Sequence, residues 1–127
     1  WQHVLEPLSG YLALSHQLQV APEEFCGSWN FGPSTTEVRT VQDVAATITG
    51  RFGSVEPEVD PDPNIHHEAH LLQLNCDKAH QLLGWYPRWT VDKTLEATAD
   101  WYKQVFDGAE ASDVTAAQML DYFPELE

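Results

Sequence analysis

Between Thr90 and Gly108 the residues Val91, Leu95, Thr98, Tyr102, Val105 and Phe106 recur at helical spacing, and no other stretch constrains the fold as strongly. A helix with one apolar stripe must bury that stripe against a second layer, so the chain has to build a packed domain. Thr90 stands at the N-cap position, Asp92 falls in the first turn, Lys103 lies near the last and Gly108 just beyond, as caps and the helix dipole favour. The same logic predicts a helix after Thr40 through Val41, Val44, Ala45, Ile48 and Phe52, with Asp43 in its first turn and Gly53 past its end. A further helix is expected from about Glu6 to Gln19, with Pro7 tolerated in its first turn, and a last one after Ser112 or Asp113 that stops at Pro124.

Shorter apolar runs read as strands. Phe25 to Phe31 precedes Gly32-Pro33 and is expected to be a buried strand, Val55 to Val59 an edge strand or extended loop, and Leu71 to Leu74 a short extended segment. Asp60 to Asn64 forces a turn, and Asn75 caps a brief helix that ends at Gly84. The expected fold class is therefore α/β, with helices dominating and a few short strands that belong to a larger sheet. At 127 residues a single domain is the limit, and the opening on Trp1 rather than methionine reads as the beginning of a fragment.

Six Lys and Arg against 20 Asp and Glu, a formal charge of −14, argue against nucleic acid and anionic membrane surfaces as partners. The longest apolar stretch, Val4 to Val20, is broken by Glu6, Pro7, His16 and Gln17, so no spanning helix is expected. Cys26 and Cys76 form no C-x-x-C pair, which fits a reduced, cytoplasmic setting.

Reactive constellations are sparse. His66, His67, Glu68 and His70 are dense enough to suggest a metal, but H-E-x-x-H would need histidine where Leu71 stands, so a polar loop lining a ligand is the better reading and no metal is expected. There is no G-x-G-x-x-G turn for a dinucleotide, no Tyr-x-x-x-Lys and no nucleophile elbow, so no catalytic residue and no cofactor contact is assigned to this chain. Trp85, Trp89 and Trp101 with Tyr86 are read as core packing before ligand stacking.

Trp1-Gln2-His3-Val4-Leu5-Glu6-Pro7-Leu8, Trp29 to Pro33, His67 to Leu72 and Leu82-Leu83-Gly84-Trp85 resemble blocks of the nucleotide-sugar dehydratases and epimerases in the extended short-chain dehydrogenase/reductase family. The first and third of these blocks point to the members acting on CDP-glucose. The resemblance implies the C-terminal substrate-binding lobe of a partial Rossmann-like fold over residues 1–127, with the N-terminal NAD-binding Rossmann domain outside this chain. It further implies a cytoplasmic lyase of deoxysugar and lipopolysaccharide O-antigen biosynthesis that converts CDP-glucose to the 4-keto-6-deoxy sugar with bound NAD. The whole enzyme would be a homo-oligomer, and this piece alone would be inactive. In that family Glu68 falls where a glutamate takes the ribose hydroxyls and His67 near an arginine that meets the diphosphate, while Trp1, Gln2 and His3 lie beside the substrate cleft. An epimerase of the same family and a non-catalytic interaction module are the alternatives. The piece is also expected to self-associate through exposed apolar surface.

Overall fold

Pro7 lies in the first turn of helix α1 (Leu5–Val20), where its missing N–H costs nothing because those groups have no intrahelical acceptor. The computed structural model describes residues 1–34, 36, 38–53, 57–58 and 73–126. Helix α2 (Pro22–Phe25) follows at once, and α3 (Val41–Arg51) opens on a capping box. In that box Thr40 Oγ1 accepts from the Asp43 N–H at 3.1 Å while the Asp43 carboxylate accepts from the Thr40 N–H at 2.9 Å, and this bonding holds the carboxyl below its ordinary range. Helix α4 (Val91–Phe106) is capped as expected, Thr90 Oγ1 accepting from the Lys93 N–H at 3.2 Å. Helix α5 (Ala111–Tyr122) starts slightly earlier than expected, with Glu110 as its N-cap and no side-chain cap bond, and a 3-10 turn, Pro124–Leu126, closes the described chain.

The α/β expectation is overturned: among the described residues every regular element is helical and no strand forms. The physical reason is clearest at Phe25 to Phe31, where Phe25 ends α2 and the chain then runs on without a ladder. Side chains take the place of a neighbouring strand. Trp29 Nε1 donates to the Phe25 carbonyl at 2.9 Å, Lys78 Nζ to that of Ser28 at 3.1 Å and Gln2 Nε2 to that of Phe31 at 3.1 Å. Backbone acceptors satisfied this way need no sheet. Gln73 and Leu74 are likewise irregular, whereas Leu71, Leu72, Val55, Val59 and the turn over 60–64 lie outside the described residues.

The brief helix after Asn75 forms with a different pitch. Asn75 Oδ1 accepts from the Asp77 N–H at 3.0 Å, and the chain then widens into a π turn, Ala79–Leu83. It is stopped by Gly84 at φ 61°, whose N–H and that of Trp85 both return to the Ala79 carbonyl. Only a residue that tolerates positive φ closes a helix this way.

Phe31, Ala79 and Trp85 form the buried centre, with Leu14, Trp29 and Leu83 packed against it. Phe31 meets Trp85 edge-on at 5.0 Å, and α1 passes close enough that Gly10 lies against the Phe31 ring. Helix α1 also packs on α2 and the π turn, while α3 packs on α4 and α4 on α5. The buried face of α4 is Val91, Thr94, Leu95, Ala97 and Ala99, so the expected stripe is buried only in its first half: Tyr102 and Phe106 are exposed. At the N-cap and along the first turns of α1 the residues Val4, Leu8 and Leu12, one turn apart, are also exposed. No helix among the described residues is long and apolar enough to cross a membrane.

Candidate functional site

The polar centre of the molecule is Glu6, which is 1% exposed. Its carboxylate accepts from the Tyr122 hydroxyl at 2.6 Å, the Trp89 N–H at 2.8 Å and the Arg88 N–H at 3.0 Å. Ser9 extends the network, lying 3.1 Å from the Tyr122 hydroxyl and accepting from Trp85 Nε1 at 2.8 Å. Arg88 ties the far end down, donating to both Glu125 carboxylate oxygens and to the Tyr122 carbonyl. Burial first, and then donation to Glu6, pushes the Tyr122 phenol far above its ordinary range. With three donors on one carboxylate, Glu6 anchors α1, the 85–89 connector and the end of α5 to one another. Sequence reasoning missed this anchor. The available signal was a glutamate set inside the otherwise apolar opening of α1, where a charge persists only if paired.

This anchor holds the opening residues in place. Trp1 is exposed, its Nε1 donating to the Arg39 carbonyl at 3.1 Å, whereas His3 is buried with its ring 4.9 Å from that of Trp89. His3 Nδ1 accepts a long 3.4 Å bond from the Leu5 N–H, which requires that nitrogen to be unprotonated. Desolvation lowers the His3 pKa, opposed by a hydrogen bond with Gln118 and by the charge on Glu6. In the window just below 6.5 the unfolded chain therefore binds more protons than the folded one. The stability contributed by neutral His3 is full above that pH and is lost as pH falls through the window. Urea titrations between pH 5 and 8 are expected to show this slope in the wild type and a flatter one in His3→Gln; equal slopes would remove His3 as its source.

Gln2 completes the block. Its Nε2 donates to the Phe31 carbonyl, while Oε1 is buried with no protein partner. Gln2 and His3 line a cleft of about 380 Å³ closed on its far side by α4 and α5, through Thr98, Trp101, Tyr102, Thr115 and Gln118. The structure thus brings Gln2 and His3 together, while Trp1 is not among the residues lining that cleft. His67 and Glu68, with His66 and His70, lie outside the described residues. Among the described residues no group of three or more His, Cys, Asp or Glu is placed to hold a metal.

A second, wider cleft of about 660 Å³ opens between Pro33-Ser34 and the segment from Gln73 to Asp77, with His80, Tyr86 and Pro87 completing its wall. The His80 and Tyr86 rings stack at 4.4 Å and 10°, and Tyr86 is 60% exposed, which makes a flat platform at the cleft. Trp85 is buried in the core as expected; Trp101 instead lines the smaller cleft. Gln73, at the wider cleft, is five residues after Glu68 in sequence.

Sequence comparison gives the class: the chain is similar to part of a nucleotide-sugar dehydratase. The relative is CDP-glucose 4,6-dehydratase of Salmonella typhimurium, 36% identical over 122 residues that make up 96% of this chain. The resemblance carried by the opening blocks is thereby shown, and the chain spans about a third of that relative's length, 34%. No family model matches the chain.

The NAD that the family resemblance implies has no cradle among the described elements. A dinucleotide site needs a glycine turn leading into a helix N-terminus. Here Gly27, Gly53, Gly84 and Gly108, the described glycines of positive φ, each close a helical element, and Gly108, three residues before α5, stands without the further glycines of such a turn. These residues do not fit the group.

Proposed function

We propose that this chain is the C-terminal substrate lobe of an enzyme that converts CDP-glucose to CDP-4-keto-6-deoxyglucose, with NAD held by a Rossmann domain outside residues 1–127. The observation that carries this reading is the 36% identity to a CDP-glucose 4,6-dehydratase across nearly the whole chain. In this reading Glu68 takes the ribose hydroxyls, His67 stands beside the diphosphate, and Trp1, Gln2 and His3 border the sugar-nucleotide cleft. The unpartnered Gln2 Oε1 supports a ligand contact there, because a buried acceptor without a donor costs free energy that a ligand donor recovers. The Tyr86 platform supports the wider cleft as a place for a flat ring. The hydride and proton chemistry belongs to groups outside this chain, and the lobe contributes binding and orientation. The exposed Val4, Leu8 and Leu12 stripe supports contact with the rest of the enzyme or a second copy.

The test is the full-length protein incubated with NAD and CDP-glucose, followed by the alkaline absorbance of a 4-keto sugar. Turnover with CDP-glucose is the expected result. Turnover of a different nucleotide sugar, or epimerisation without loss of water, would sink the named reaction.

A further inference from the structure

His3 stands where the start of α1 meets the other two walls of the smaller cleft, α4 and α5. On the α1 side, Val4 at the N-cap makes no side-chain cap bond, so the first N–H groups of the helix depend on the residue before it. The His3 carbonyl accepts from the Glu6 N–H at 3.0 Å, and His3 Nδ1 accepts from the Leu5 N–H at 3.4 Å. On the other side the imidazole bonds with Gln118. That bond favours the protonated ring, so the imidazole is its donor and the Gln118 side-chain oxygen its acceptor. With Nδ1 taken by Leu5, the donor is Nε2. Gln118 Nε2 donates in turn to the Ala97 carbonyl of α4 at 2.6 Å. One neutral tautomer of His3 therefore links α1, α5 and α4 around the cleft.

A second proton on the ring breaks this link at Leu5. It turns Nδ1 into a donor facing another donor, and it sets a positive charge at the N-terminus of a 16-residue helix, where the macrodipole is positive as well. Among the groups around His3, Glu6 is the charge that favours the protonated ring, and its carboxylate already serves Tyr122, Arg88 and Trp89. The 85–89 connector presents the Trp89 ring, over which Lys93 Nζ lies at 5.1 Å while paired with Asp121 at 2.7 Å. Helix α5 presents Gln118 and, against Trp89 at 5.1 Å, Tyr122; α4 presents Tyr102, the other titratable residue of the cleft lining. Neither helix brings a carboxylate to that lining.

We propose that His3 is the positioning residue of this cleft: its neutral ring holds the start of α1, and with it Gln2, against α4 and α5, and a proton on Nδ1 releases them and abolishes ligand binding there. The inference rests on the reading of this cleft as a ligand contact and goes beyond it in making that contact conditional on one proton.

The experiment follows the Gln2 side-chain amide and the Trp101 indole N–H of the full-length protein by NMR from pH 8 to 5, with the Trp85 indole N–H, which donates to Ser9 in the core network, as reference. In the wild type the first two signals are expected to move together in one reversible step below the ordinary imidazole value while Trp85 stays in place. Glutamine offers an acceptor and a donor without titrating, so His3→Gln is expected to show no step. Phenylalanine offers neither, so His3→Phe should hold both signals at their acid positions throughout; if that variant does not fold, the wild type and His3→Gln decide. CDP-glucose affinity, measured by calorimetry over the same range, is expected to fall about tenfold for each pH unit below the step in the wild type and to stay level in His3→Gln. Gln2 and Trp101 unmoved while His3 titrates, a step shared with Trp85, an equal step in His3→Gln, or an affinity that ignores the step would each overturn the proposal. Absence of CDP-glucose binding at every pH would sink the dehydratase reading alone, because the NMR step is read without ligand and still decides the role of His3.

Discussion

Replacing Glu6 by alanine is expected to destabilise the protein by about 3–5 kcal/mol, the effect of removing one partner from a buried, charged hydrogen-bond network. The Tyr122 hydroxyl and the N–H groups of Arg88 and Trp89 would all lose their acceptor, and each lies in a part-buried or buried contact. Glu6→Gln retains one acceptor oxygen but presents an NH₂ to groups that are themselves donors, so about half of that loss is expected. Chemical denaturation of the wild type and both variants measures the difference. Equal stability of Glu6→Ala and the wild type would mean that water replaces the carboxylate and that the anchor is not what holds α1 to α5. The near-ultraviolet signal of Trp85 and Trp89 should weaken with stability, because the Trp85 indole N–H bonds to Ser9 of this network and the Trp89 ring packs on that of Tyr122 at 5.1 Å.

Gly10→Ala is expected to cost about 2 kcal/mol, although alanine is favoured over glycine inside a helix by about 1 kcal/mol. A Cβ at this position would stand 2.3 Å from Phe31 Cδ1 and 2.6 Å from Cε1, and Phe31 is itself wedged against Trp85 and Tyr11. The ring therefore has little room to retreat. Pairing the change with Phe31→Leu should return part of the loss, and the double-mutant cycle should show favourable coupling. A simple additive result, or a stabilised Gly10→Ala, would mean that α1 shifts freely on the core.

Legibility from sequence was uneven, and for identifiable reasons. The helices after Thr40 and Thr90 are readable because their caps, first-turn acids and terminal glycines act within a few residues of each other. The strand expectation at Phe25 to Phe31 failed because a short apolar run carries no information about its neighbours: it looks the same in sequence whether a strand or a set of side-chain donors satisfies its carbonyls. Trp85 was correctly read as core, since an aromatic beside a proline connector has to be pinned somewhere. Of the expected ligand contacts, Gln2 and His3 meet at one cleft, with Thr98, Trp101, Thr115 and Gln118 supplied by helices about a hundred residues later.

The sequence by itself determined where the long helices begin and end, that the chain carries no dinucleotide fingerprint, and which family its blocks resemble; the first of these follows from local hydrogen bonding and side-chain periodicity. Only the tertiary structure decided that Glu6 is an anchor, that Gly10 is a contact surface and that Gln2 holds an acceptor without a donor. Each of these depends on a partner between 21 and 116 residues away, and a pairing at that distance is set by how helices pack, not by any pattern along the chain.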